Sequence, residues 1–176
     1  MRFFTYFFLA YVAVLAVCAS DYNSIKQKVD AIHSECQGLG NIPTGGITIS
    51  GGAIIHADLQ GVINVIVEAK AEIVAFVGVL TVVEVQAIVA VLAEIEVLLS
   101  VCVNLLLTLE VGLDILGLGG QCGQDLLDLN ISVQAFIEAF LGIIPSGCHS
   151  CQSSAWNVCN QLGNTCTSGC HGYGYC

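Results

Sequence analysis

Cysteines are the residues of this chain best suited to chemistry, and six of them lie within its last 29 residues. They are Cys148, Cys151, Cys159, Cys166, Cys170 and Cys176. In an exported chain, cysteines at this density predict a module with three disulfides, whose pairing the sequence leaves open. Because His149 and His171 lie beside them, a zinc site is the alternative interpretation. Because the first twenty residues resemble a secretory signal peptide, disulfides are favoured over zinc.

Three further cysteines lie upstream, at Cys36, Cys102 and Cys122, so a chain that has lost its leader carries nine. An odd number leaves one thiol either free and buried or bridging two chains. A bond from Cys36 to Cys102 or Cys122 would link the first helix to the rest of the fold. Cys102 lies among Val and Leu, so simple burial as a small apolar residue is the alternative.

Patterns typical of catalysis are missing from the sequence. It contains no Gly-x-Ser-x-Gly, no His-Glu-x-x-His, no phosphate-binding loop and no calcium loop. The four histidines are scattered, and His56 and Asp58 would not share a helix face. We therefore expect no enzyme activity, no metal and no cofactor. Asn130-Ile131-Ser132 is a candidate glycosylation acceptor, which would be lost if Asn130 is buried in a helix.

Apolar periodicity predicts that these residues are carried by α-helices. Four helices are expected, at about Asp21–Gly38, Ile54–Leu80, Val82–Leu116 and Gln124–Ile144. A Gly-rich loop separates the first two, and Thr81 with Glu84 predicts a capping box at the start of the third. Asn130 could divide the fourth helix. After Pro145 the composition changes to Ser, Asn, Gly and Cys, which predicts an irregular tail.

The segment from Ile54 to Leu118 is almost entirely Val, Ile, Leu and Ala, interrupted by single carboxylates. These carboxylates recur too often for an ordinary membrane span of about twenty residues. One or two spans within 73–109 remain the alternative interpretation. In a soluble bundle, one narrow polar stripe per helix leaves apolar surface for self-association or for a lipid-like ligand.

The first twenty residues resemble a secretory signal peptide, with Arg2, an apolar run from Phe3 to Val17 and small residues before Asp21. A transmembrane anchor is the alternative. After cleavage, three lysines face fourteen acidic residues, a formal net charge of −11. Such a chain is repelled by nucleic acids and by anionic lipids. In the apolar region Lys70 is the only cation, which favours a neutral lipid, a sterol or an apolar surface over an acidic lipid.

The layout of a leader, an amphipathic first helix ending in a Cys, a Gly-rich break and Val/Ile/Leu/Ala helices with sparse Glu resembles small secreted fungal proteins. It is similar to the hydrophobic-surface-binding and cell-wall mannoprotein group over about Asp21 to Leu118, as in Ala57-Asp58-Leu59-Gln60-Gly61-Val62. The resemblance implies a helical protein that associates with lipids or apolar surfaces. The cysteine-rich tail departs from that group, and no site residue can be carried over.

Together these observations predict an all-α protein with a signal peptide at 1–20, a hydrophobic helical bundle at 21–145 and a cysteine-rich tail at 146–176. The predicted function is non-catalytic binding of lipids or apolar surfaces outside the cell, in the cell wall or at an interface. Membrane insertion is the alternative.

Overall fold

The computed structural model describes residues 20–39 and 48–176, and within these ranges the chain forms five α-helices. They are α1 (Tyr22–Leu39), α2 (Ile49–Ala75), α3 (Val82–Ile115), α4 (Gly119–Gly142) and α5 (His149–Gly172). The predicted all-α bundle is confirmed. The predicted signal peptide up to residue 19, and the loop residues 40–47, lie outside the described ranges.

The helices alternate in direction and pack as a closed ring in the order α1, α2, α4, α5, α3, with α3 again beside α1. Each helix buries one apolar stripe in a shared core. In α1 this stripe is Ile25, Val29, Ile32 and Cys36, at the helical spacing that the sequence predicts. The alternation gives the bundle two ends: one carries the α2–α3 and α4–α5 turns, and the other carries the α3–α4 turn and the C-terminus.

The tail differs most from the sequence-based expectation, because residues 149–172 form a helix instead of an irregular module. Its buried side chains recur every three or four residues and face α3 and α4. They include Cys151, Ala155, Cys159, Leu162, Cys166 and Cys170. The cysteines here follow a helical period and serve as core residues, so α5 completes the ring.

The boundaries of α2 also differ from the predicted Ile54–Leu80. The helix begins at Ile49 because Thr48 caps it, its side chain accepting a hydrogen bond from the Gly51 amide at 3.1 Å. Gly52, in the first turn, packs against Leu118, where a Cβ would collide. The helix ends at Ala75, since Phe76 is extended and Gly78 has a φ of +143°, which favours glycine.

α1 and α3 begin and end close to the predicted positions, whereas α4 begins at Gly119, five residues before the predicted Gln124. The capping box is confirmed: the Thr81 amide donates to Glu84 Oε2 at 2.7 Å, and the Glu84 amide donates to Thr81 Oγ1 at 3.4 Å. Asn130 does not divide α4, which continues to Gly142. By length and composition alone, α2 and α3 are each apolar enough to cross a membrane. In the structure each contributes nine buried residues to the bundle.

Candidate functional site

Two disulfides form in the tail, where the sequence predicted three. Cys148 pairs with Cys151 at the start of α5, and Cys170 pairs with Cys176 just beyond its end. The predicted third pair does not form, because Cys159 and Cys166 are buried in the core without a disulfide partner. The zinc interpretation used the pairs Cys148–Cys151 and Cys166–Cys170, and three of these four cysteines are now engaged in disulfides while Cys166 is free. No group of three or more His, Cys, Asp or Glu in residues 20–39 and 48–176 is arranged to hold a metal ion.

The upstream cysteines Cys36, Cys102 and Cys122 are also buried and free. Burial raises the pKa of Cys36, Cys102, Cys159 and Cys166 to about 12, and that of Cys122 to about 11, because a thiolate would lose its hydration. A thiol that stays protonated is a poor nucleophile and a poor metal ligand. These side chains therefore act as small apolar core residues.

Asp125 is the one buried charged residue in the described part of the chain, with 2 % of its surface exposed. Asp125 lies on α4. Its carboxylate accepts hydrogen bonds from two side chains of α2, from His56 Nδ1 at 2.7 Å and from Gln60 Nε2 at 2.8 Å. The three polar groups satisfy one another and join two helices that lie side by side. Sequence analysis missed this cluster because 65 or more residues separate its two halves.

Asn130, the candidate glycosylation site, lies within α4 and faces α5. Its side-chain oxygen accepts a hydrogen bond from Thr167 Oγ1 at 3.1 Å, and its amide donates to the Cys176 sulfur at 3.6 Å. The amide nitrogen that would carry a glycan is thus directed at the Cys176 sulfur, beyond the end of α5. Glycosylation stays a prediction.

An open groove of about 500 Å³ lies between the end of α4 and the start of α5. We call it the tip groove; it is lined by Leu141, Ile144, His149, Gln152, Ser153 and Trp156. Its volume is within the range of small-molecule sites. Leu141, Ile144 and the indole of Trp156 provide an apolar wall, and the other three side chains carry hydrogen-bonding groups. Trp156, the only tryptophan of the chain, is 56 % exposed.

A second open groove, of about 400 Å³, lies between α1 and α3. Its lining includes His33 and Glu94, and His33 Nε2 lies 3.2 Å from a Glu94 carboxylate oxygen. Because its two most polar residues already contact each other, this groove offers fewer free polar groups than the tip groove. Lys70 lines neither groove.

Comparison with solved structures identifies domains that contain this arrangement of helices. Ligand-binding domain 1 of the Penicillium marneffei MP1 protein, complexed with arachidonic acids, matches with a TM-score of 0.75 and 16 % identity over 87 % of this chain and 99 % of that one. The chain shares its fold. Ligand-binding domain 2 of the same protein, also with arachidonic acids, gives 0.75 and 15 % identity over 88 % and 96 %.

AFMP4P in complex with palmitic acid matches equally well, with a TM-score of 0.75 and 14 % identity over 87 % of this chain and 99 % of that chain. No protein-family model and no curated protein sequence matches the chain. The likeness therefore lies in the fold. The sequence-based resemblance to a fungal group agrees with the fungal source of the MP1 domains.

Proposed function

We propose that this protein is an exported, non-catalytic lipid-binding protein and that the tip groove holds the lipid. The observation that carries the proposal is the groove itself, which combines an apolar wall with three hydrogen-bonding side chains in about 500 Å³. The shared fold supports it, since three similar domains were solved with fatty acids bound.

The two kinds of lining residue suit the two parts of a lipid. An acyl chain or sterol ring can lie against Leu141, Ile144 and Trp156, where each removes apolar surface from water. The imidazole of His149, the amide of Gln152 and the hydroxyl of Ser153 can bond a hydroxyl or ester oxygen. Few convergent polar groups on an apolar wall are typical of ligand sites.

The absence of a cationic side chain in the groove favours neutral lipids over fatty acids. Neither Lys nor Arg lines the groove, and two of the three lysines after the leader are already paired. Lys26 contacts Asp30 at 2.6 Å and Lys28 contacts Glu68 at 2.7 Å. A fatty-acid carboxylate would therefore meet no fixed cation, in a chain with net charge −10. We expect a neutral lipid, such as a monoacylglycerol or a sterol, to bind more tightly than palmitate does.

Fluorescence of Trp156 reports directly on the groove, because the chain has no other tryptophan. Titration with a brominated monoacylglycerol should quench it in a saturable manner. Ser153→Phe should fill the groove and weaken binding at least about tenfold, since a difference of about 1.4 kcal/mol corresponds to a factor of ten. Ser154→Phe is the matched control, because Ser154 is exposed and does not line the groove.

Equal binding by the two variants would remove the tip groove from the proposal. Absence of saturable quenching in the unaltered protein, with monoacylglycerol, sterol and palmitate alike, would contradict lipid binding. Binding of palmitate in preference to neutral lipids would reverse the charge argument and leave the site in place.

Export, and a role in the cell wall or at an interface, belong to the same proposal. The signal-peptide pattern and the two disulfides support export, because disulfides persist in oxidising compartments. Self-association is compatible with the exposed valines and isoleucines of α2 and α3.

The alternative of a protein with one or two spans within 73–109 is tested by carbonate extraction. Release into the supernatant would exclude it, and retention in the membrane pellet would support it.

A further inference from the structure

A charge-free stretch of the chain forms the α2–α3 turn at one end of the bundle. We call residues 73–83 the apolar tip. Its exposed side chains are Val74, Val77, Val79, Val82 and Val83. Val77 and Val83 are 88 % and 74 % exposed. Continuous apolar surface of this kind on a soluble protein marks a site of interaction.

Three other exposed apolar residues adjoin charged or hydroxyl-bearing residues. Val111 follows Glu110 and Ile115 follows Asp114 at the far end of α3, so a charge adjoins each of them. Ile49 lies between Thr48 and Ser50 at the start of α2. In the apolar tip, by contrast, no charged residue occurs between Glu72 and Glu84.

The backbone of the apolar tip is held in place by neighbouring segments. The Leu80 amide donates a hydrogen bond to the Ile143 carbonyl at 3.0 Å, which joins the turn to the end of α4. The capping box then starts α3 at Val82. The valines are thus presented on a defined turn, while Phe76 and Leu80 pack inward from it.

Charge limits what could cover this surface. Asp21, Glu72 and Glu84 border the apolar tip in sequence or space, and no lysine or arginine follows Lys70. An anionic lipid or a nucleic acid would be repelled. A surface with no net charge, such as a zwitterionic phospholipid bilayer, would accept apolar side chains without that repulsion.

A further observation points to a bilayer and not to another protein. The tip groove and its tryptophan lie at this end of the bundle, since Ile144 adjoins the residue that bonds Leu80. Tryptophan favours the boundary between apolar and aqueous phases in membranes.

We infer that the apolar tip docks on zwitterionic phospholipid bilayers and brings the tip groove to the lipid from which it loads. This docking rests on the proposed function only in its purpose, which is to load the tip groove with lipid. Binding to vesicles is measured separately from binding of lipid in the groove. The valines enter the interfacial region, and Trp156 lies at its edge. The acidic surroundings keep the protein off anionic membranes.

The test uses the secreted, leader-processed protein and vesicles of phosphatidylcholine. We expect cosedimentation with the vesicles and a blue shift of Trp156 fluorescence. Val77→Asp combined with Val79→Asp should lower the partition coefficient at least about tenfold, because charged side chains are costly within a bilayer. Vesicles with 30 % phosphatidylserine should bind the unaltered protein at least about threefold more weakly.

The matched control is Val97→Asp combined with Val101→Asp, which adds the same two charges at exposed valines on the middle of α3. Partition of this control should stay within about twofold of the unaltered protein. Circular dichroism and gel filtration establish that both variants fold and remain in the same oligomeric state.

Equal loss of partition in the two variants, or no partition by the unaltered protein, would overturn docking through the apolar tip. A dimer that only the Val77 and Val79 substitutions dissociate would show that a second copy covers the tip, and would overturn it too. Saturable quenching by brominated monoacylglycerol distinguishes the two proposals. If it persists while vesicle binding is absent, docking fails and the lipid-binding function survives.

Discussion

The two ends of the bundle are built on opposite principles. The end with the apolar tip leaves five valines exposed to solvent, whereas at the opposite end hydrogen bonds and a disulfide join the helices. We call the latter the closed end, comprising the α3–α4 turn at 116–118, the first turns of α4 and the C-terminal residues 173–176.

At the closed end, polar groups tie the helices together. Tyr173 donates its hydroxyl to the Leu106 carbonyl at 2.8 Å, and Tyr175 donates its hydroxyl to the Gly120 carbonyl at 3.0 Å. The Cys170–Cys176 disulfide holds these tyrosines on the bundle. Gly123 packs so closely against the Tyr175 ring that a Cβ would collide with it. The difference teaches that the closed end stabilises the fold, while the apolar tip carries exposed surface that folding does not require.

Alkaline pH should give the largest effect, because four of the five buried thiols, Cys36, Cys102, Cys122 and Cys166, lie in the half of their helices nearer the closed end. Their pKa values are raised to about 11 or 12, so the unfolded state loses these protons first as the pH rises. The free energy of unfolding should stay constant below about pH 8 and fall at higher pH, with a slope that approaches about 1.4 kcal/mol per pH unit for each thiol once the pH exceeds the unfolded-state pKa of about 8.5. Urea denaturation at pH 8, 9 and 10 measures it, and a flat profile would contradict buried, protonated thiols.

Phe140→Ala should destabilise the protein by about 3–5 kcal/mol, because it leaves a cavity in the core beneath the tip end. Phe140 is fully buried and stacks on Phe136 with ring centroids 6.2 Å apart. Val83→Ala, on the outside of the same end, should cost less than about 0.5 kcal/mol. Urea midpoints compare the two. Similar losses would mean that the exposed valines belong to the core after all.

Asp125→Ala should cost about 2 kcal/mol, since it removes a charged acceptor from His56 and Gln60 in the buried link between α2 and α4. The side chain of His56 is 39 % exposed and can turn to water, which moderates the loss. Asp128→Ala is the control on the same helix. It removes only a bond from Gln124 at 2.9 Å and should cost less than about 0.5 kcal/mol. Equal thermal midpoints would contradict the link.

Thr81→Ala gives the smallest expected loss, about 1 kcal/mol, because it removes the side chain that caps α3 beside the apolar tip. Thr108→Ala, farther along α3, removes a hydroxyl that bonds the Asn104 carbonyl at 2.8 Å. It should be neutral or slightly stabilising, since Ala is the better helix former. The comparison is made by urea denaturation, and a neutral Thr81→Ala would show that the turn does not depend on its cap.

The helices were predictable wherever one local pattern decided them. The stripe of α1 and the Thr81–Glu84 capping box could both be read from spacing alone. The same reasoning was available for α5, where Cys151, Cys159 and Cys166 recur at helical intervals, but cysteine density suggested a disulfide module instead. Gly51 and Gly52 indicated a loop, but Thr48 caps a helix that includes both, and Gly52 lies against the distant Leu118.

The candidate site could not be predicted from spacing, because it forms from residues that only the fold brings together. His56 meets Asp125 from another helix, and the tip groove combines the end of α4 with the start of α5. Composition did predict that the helices carry too few polar residues to cover the surface of the bundle. The exposed valines of the apolar tip bear that out.

Native mass spectrometry of the protein isolated from its host tests the central claim most directly. Bound lipid, once released, is identified by fragmentation, and the same spectrum gives the mass of the processed chain. The account predicts one neutral lipid bound per chain, lost from the Ser153→Phe variant and kept by Ser154→Phe. A lipid-free chain that also takes up no monoacylglycerol, sterol or palmitate when these are supplied would contradict it.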